Sequence, residues 1–184
     1  MPSQKKETKM EKETKRFERK YLPEFVYGGM DGAITTFAVV SGVLGASLSS
    51  IVVLTLGFAN IFADGFSTAV AHYFSIKSKN ELVKTQEKHP AKGAIVKFFS
   101  FFLMGLIPIL SFIIAAITTN PAIAQNQFKY SVLLTGLALV IVGWFEGEVT
   151  GKHRVQSAAQ TLLIGGIAAI LAFIVGRFIS LLIA

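Results

Sequence analysis

The chain has 184 residues, 52% of them hydrophobic, with 16 Gly and 16 Phe and a mean hydropathy of +0.57, far more apolar than a soluble domain of this size requires. Its net charge of +7 comes mostly from a Lys-rich leader and short basic connections rather than from a patch interleaved with aromatics, which argues against a nucleic-acid partner. It contains no cysteine, which excludes disulfides, thiolate metal sites and Cys nucleophiles. The composition predicts an all-α, polytopic membrane protein whose partner is lipid.

Residues 1–23 form a basic leader, predicted to be cytoplasmic. It is too charged, and too far from an apolar core, to be a cleaved secretory signal, so it is expected to stay attached. Glu7, Lys9, Glu11, Glu13, Lys15 and Glu18 offer opposite-charge pairs three to four apart, which suits a solvated helix lying near anionic lipid. Residues 24–184 form the transmembrane domain. Taking about 20 residues as the length that crosses the hydrocarbon core, five spans are predicted, near 24–46, 51–75, 94–117, 130–145 and 157–183. Alternating strands of barrel length are absent, so the spans are helices. "SLSS" at 47–50 makes a tight hairpin between the first two, and Pro108 is expected to kink the third. Every Lys and Arg except Lys129 and Arg177 falls on one side if the leader is inside, giving N-in, C-out topology. Small residues recur four apart at Gly28 and Gly32, Ala59 and Ala63, Gly65 and Ala69, Gly165 and Ala169, and Ala172 and Gly176. That pattern lets helix backbones approach, either within one chain or between two.

Two acids stand inside apolar stretches: Asp31 in "GGMDGAITTF" and Asp64 in "ANIFADGFST". A carboxylate in the bilayer costs at least a few kcal/mol and normally faces a bundle interior or a water path with a partner. At about 1.5 Å per residue both lie roughly 10 to 17 Å below the cytoplasmic face, on helices running in opposite directions. They are placed to share one site. No Lys or Arg is expected at that depth, so charge balance falls to protons or a cation, which points to transport. Asp64, Thr68 and His72 follow at four-residue intervals, and Asp31 and Thr35 make a similar pair. Carboxylate, hydroxyl and imidazole together suit a first-row divalent ion, Mn2+ or Fe2+, with Zn2+ also compatible. Read blandly, His72 sits at the membrane boundary and Thr68 bonds back to its own helix. Glu146 and Glu148 at the inner end of the fourth span are either interfacial charges or a vestibule for cations. Glu81, Glu87 and His89 are too few and too scattered for a metal cage. No nucleophile elbow, phosphate loop or zinc-protease motif is present, so neither an enzyme nor a resident cofactor is expected.

The run from "VYGGMDGAITTFAVVSG" to "ANIFADGFSTAVAHYFS", with "GLIP" in the third span and "EVTGKHRVQSAAQTLLIGGIAAILAFIVGR" at the end, resembles the vacuolar iron transporter family, which includes the yeast vacuolar iron and manganese importer and plant nodulin-21-like proteins. The similarity covers about residues 24–180. It implies a five-helix protomer, a homodimer with the cation path at its interface, and movement of Fe2+ or Mn2+ out of the cytosol in exchange for protons. Asp31 would be the central transport carboxylate, and Asp64 matches the acid of the second motif. Two departures stand out. Where the family reads Ser-Met and, four residues after the Met, an acid before Tyr, this chain has Ser67, Thr68 and then His72 before Tyr73. A hydroxyl thus replaces a thioether and an imidazole a carboxylate, which weakens the case for Fe2+ over Mn2+ while keeping transition metals favoured over Mg2+ and Ca2+. The connection between the second and third spans is also too short for the Glu-rich metal-gathering domain of the plant and parasite importers. The resemblance implies a vacuolar membrane in a eukaryote and the plasma membrane in a prokaryote. A rival of another class is a non-transporting scaffold or accessory subunit, with the aspartates as interhelical hydrogen-bonding groups.

Overall fold

The computed structural model describes residues 9–84, 87–118 and 121–183, with side chains described at position 17 and from 19 onward. The paired charges predicted for the leader therefore lie outside the described side chains. Five helices make up the described residues: α1 (Lys9–Gly45), α2 (Ser50–Val83), α3 (Pro90–Ile117), α4 (Pro121–Thr150) and α5 (Arg154–Ile183). They overrun the predicted spans because apolarity marks only the part of a helix in hydrocarbon, while backbone hydrogen bonding continues into water.

Helices α2 to α5 are each long and apolar enough to cross a membrane, so the protein is a multi-pass membrane protein. Helix α1 falls outside that set, and its packing gives the reason. It touches all four other helices, whereas α2 touches only α1 and α3, and α5 only α1 and α4. Between Gly28 and Ala46 no residue of α1 is exposed. A helix shielded by protein is released from the apolarity that lipid demands, which lets α1 carry Asp31, two threonines and its glycines. The other helices form an incomplete ring around it, open between α2 and α5.

Close backbone approach fixes α1 against α3. A Cβ at Gly28 would stand 2.7 Å from the Lys97 carbonyl oxygen, and one at Gly32 would overlap the Phe101 carbonyl. From the α3 side, a Cβ at Gly105 would lie 3.3 Å from the Gly32 oxygen. The Ser100 hydroxyl donates to the Phe25 carbonyl across the same seam. Near the opposite end, Gly45 abuts the Phe173 carbonyl of α5 and Gly176 abuts Gly42. Of the small-residue pairs, Ala59 and Ala63 remain exposed; Gly28, Gly32, Gly65, Gly165 and Gly176 each pack within the chain. Below these contacts lies an apolar core of Val40, Val43, Val53, Ile61, Ile109 and Phe112.

The predicted hairpin is a Schellman closure of α1. Ser47 takes a left-handed φ of 58°, its N–H donates to the Leu44 oxygen at 2.9 Å, and the Leu48 N–H reaches the Val43 oxygen at 3.1 Å. Helix α3 runs unbroken through Pro108, whose carbonyl accepts the Ser131 hydroxyl of α4 at 2.5 Å.

Two stability outcomes follow. Left-handed backbone costs a non-glycine residue about 1 kcal/mol, so Ser47→Gly raises the thermal midpoint of the purified protein in detergent. Gly32→Ala lowers it, through a destabilisation of about 1–3 kcal/mol from overpacking, because the obstacle is backbone that no rotamer change relieves. An unchanged midpoint for Gly32→Ala would contradict the described α1–α3 contact.

Candidate functional site

Helices α1 and α2 leave a tight turn in opposite directions, so their facing residues pair at a constant antiparallel register. Two contacts fix it. Toward the hairpin, Asn60 Nδ2 of α2 donates to Thr35 Oγ1 at 3.4 Å and to Thr36 Oγ1 at 3.2 Å. Toward the other end, His72 Nε2 comes within 3.5 Å of Glu24 Oε1. One turn beyond Thr35 on α1 is Asp31, and one turn beyond Asn60 on α2 is Asp64. These two carboxylates therefore occupy the rung between the fixed contacts, and Asp64 is one of the charges that act on Asp31. Both are half-buried. Among the described residues neither accepts a hydrogen bond or makes an ion pair. The seam itself is loose, since α1 packs far more extensively on α3 than on α2.

The expectation that no cation stands near the acids is corrected. Lys97 of α3, counted with the preceding basic connection, lies on a helix that starts at Pro90. Its backbone and stem pack against Gly28, one turn from Asp31, and its charge also acts on Asp31. Among the described residues Lys97 makes no ion pair with either aspartate.

Thr68, half-buried, makes no side-chain hydrogen bond among the described residues, and the Thr35 hydroxyl is engaged by Asn60. His72 lies at the end of the ladder, with Glu24 rather than with the aspartates. Glu24 Oε2 is buried without a hydrogen bond, while His72 Nε2 has Glu24 Oε1 at 3.5 Å. The other oxygen of Glu24, a residue only 4% exposed, takes the Lys88 ammonium at 2.7 Å. Lys88 belongs to the short α2–α3 connection, which is anchored by Asn80 Nδ2 donating to the Lys88 oxygen at 2.8 Å and by the His89 N–H donating to Tyr21 Oη at 3.2 Å. The connection covers the end of the α1–α2 seam.

Glu146 and Glu148 separate. Glu148 is half-exposed and lies 3.6 Å from Arg154, as an interfacial charge does. Glu146 points inward, where its Oε2 accepts from Thr161 Oγ1 at 3.4 Å. Thr161 also lies 3.7 Å from Met30 Sδ. The thioether beside Asp31 in sequence is therefore directed toward α5, away from the aspartate rung.

The model of the VIT family matches residues 22–92 and 81–177, which takes in every rung of the ladder and both glutamates. The chain belongs to the VIT family. Among curated relatives, it is 24% identical to the "Vacuolar iron transporter" of Toxoplasma gondii, with 89% of this chain and 76% of the relative aligned. It is 27% identical to the "Vacuolar iron transporter" of Centaurea cyanus, over 82% of this chain and 84% of that one. "Vacuolar iron transporter homolog 4" of Arabidopsis thaliana is 27% identical, over 79% and 77%.

In this VIT family member, sequence reasoning missed Glu24, Asn60 and Lys88. Glu24 lies seven residues, two helical turns, before Asp31 and so shares its face; Asn60 lies one turn before Asp64. That spacing was the available signal for both. Lys88 carries none, since only tertiary structure brings it to Glu24.

Removing one partner of a buried ion pair strands the other. Lys88→Met is expected to cost about 3 kcal/mol of stability, and Glu24→Gln combined with Lys88→Met to recover most of it. Thermal unfolding of the two single variants and the double variant measures the coupling. Additive effects would show the pair to be independent.

Proposed function

We propose that this chain moves a divalent transition metal, Fe2+ or Mn2+, out of the cytosol in exchange for protons, acting as a homodimer. The observation that supports this reading best is the pairing of Asp31 with Asp64 across a loose seam, neither bonded to a protein donor among the described residues. Like charges at one level of a low-dielectric site favour uptake of protons or of a cation. Protons and metal compete for the same oxygens, so loading one releases the other. That competition is the elementary step of an antiporter. The relatives are named as transporters, which agrees with transport rather than catalysis.

Metal would arrive from the leader side past Glu24 and His72, whose oxygen and nitrogen are the first donors it meets. Lys88 holds the place of a cation there and must yield. Asp31 and Asp64 then replace water around the ion, with Thr35 and Thr68 as supplementary oxygen donors. Reprotonation from the far side releases it.

The homodimer rests on ligand number and on surface. Fe2+ and Mn2+ take up to about six donors, more than one chain's pair of carboxylates offers, and a two-fold copy doubles the set. Ala59, Ala63, Ser67 and Ala71 form an exposed stripe of small residues along α2, the kind of surface on which helices of two chains approach closely. The membrane in question is the vacuolar membrane in a eukaryote or the plasma membrane in a prokaryote.

Proteoliposomes loaded with a metal-quenched dye test the proposal, comparing Fe2+, Mn2+, Zn2+ and Ca2+ with and without an imposed pH gradient. Gradient-dependent quenching by Fe2+ or Mn2+ is expected, reduced at least 100-fold in Asp31→Asn and at least tenfold in Asp64→Asn. Full proton-coupled flux in Asp31→Asn would sink the mechanism. Absence of transport of every ion by well-folded protein would favour a scaffold instead.

A further inference from the structure

At the leader end, outside the aspartate rung, a cavity of about 530 Å3 lies between the N-terminal part of α1, the last turns of α2 and the start of α3. Among the described residues its wall carries Lys20, Lys77, Lys84, Lys88 and His89, against a single acid, Glu81. Lys88 is committed to Glu24 at 2.7 Å. Lys77, Lys84 and Lys20 have no acidic partner among the described residues, and Lys20 stands over the Tyr21 ring at 6.0 Å. Lys84 is presented by a left-handed C-cap, φ 53°, its N–H tied to the Asn80 oxygen. Asn80 also holds the Lys88 backbone. One residue thus braces two of the cationic positions around the same concavity. Like charges gathered this way repel one another, and apart from Lys88 nothing in the ladder requires them.

We infer that this cavity binds a phosphate-bearing anion. Lysine ammonium groups are strongly hydrated point charges suited to phosphate oxygens, and three uncommitted ones offset more than one negative charge even beside Glu81. The volume falls in the range of small-ligand sites and exceeds the needs of a bare phosphate ion, which matches a phosphorylated headgroup or a soluble organic phosphate. The cavity begins one turn beyond Tyr73 on α2, an aromatic of the amphipathic kind enriched at membrane interfaces, and basic pockets at that level take anionic headgroups. Lys88 belongs to both this wall and the Glu24 pair, so an anion here and the Glu24 carboxylate share one ammonium. Binding itself is independent of whether the chain transports metal.

The test uses full-length protein in nanodiscs. In one arm, discs of phosphatidylcholine are titrated calorimetrically with inorganic pyrophosphate and with glycerol 3-phosphate. In the other, native mass spectrometry counts lipids retained from discs containing phosphatidic acid or phosphatidylglycerol. Saturable, salt-sensitive binding in either arm is expected, weakened at least tenfold by Lys77→Gln with Lys84→Gln, preserved by Lys77→Arg with Lys84→Arg, and untouched by Lys152→Gln. Binding in the lipid arm alone identifies a headgroup, and binding in the first arm a soluble phosphate. Binding in neither arm, or equal loss in the Gln and Arg pairs, overturns the inference. The thermal midpoint of each variant verifies folding.

Discussion

The contact on which the architecture depends is backbone against backbone, where α1 crosses α3 at Gly28, Gly32 and Gly105. Between apolar helices in lipid there is no water to expel, so association rests on close van der Waals fit and on the few interhelical hydrogen bonds available. Glycine supplies the first and Ser100, donating to the Phe25 carbonyl, one of the second. Because α1 is clamped on its α3 side, its adjoining face can be left less extensively covered by α2. That looseness is where the carboxylates lie. A tightly packed α1–α2 seam would have buried them as an unneutralised pair, at a cost a marginally stable protein does not tolerate.

Charge is distributed along this seam in an order that physical chemistry makes intelligible. At the leader end Glu24 is almost fully buried but matched by Lys88, so it is neutralised in the resting structure. One level deeper, neither Asp31 nor Asp64 makes an ion pair among the described residues, and Lys97 packs one turn from Asp31. At the hairpin end the polar residues are neutral, with Asn60 bridging two threonines. Each ion in hydrocarbon carries a desolvation penalty of several kcal/mol, and the uncompensated charge is confined to one rung.

The α2–α3 connection performs two tasks because it is short. Its backbone is fastened at Asn80 and Tyr21, which fixes the position of Lys88 and with it the covering of Glu24. The same fastening gathers Lys84, Lys88 and His89 around one concavity. Lys88 thereby lies both in the cavity wall and in the ion pair with Glu24.

Much of this protein is written in its sequence. Hydropathy gives the four apolar helices, because lipid acts on every exposed side chain without regard to partners. The two Asp-Gly motifs stand out because a carboxylate in an apolar run is costly wherever the chain folds, and the Schellman turn at Ser47 lies where the polar "SLSS" break foretold a hairpin. Tertiary structure alone decided the rest. Helix α1 is central rather than lipid-facing, which hydropathy cannot distinguish from a weak span. His72 faces Glu24 rather than joining the aspartates, since it lies on the same seam but eight residues, about 12 Å of helix, from Asp64. Lys97 and Lys88 read as ordinary basic residues of a connection, yet one approaches Asp31 and the other neutralises Glu24. Ion pairs between residues distant in sequence leave no local pattern, because Coulomb energy depends on separation in space, and only the packing of α1 against α3 sets that separation.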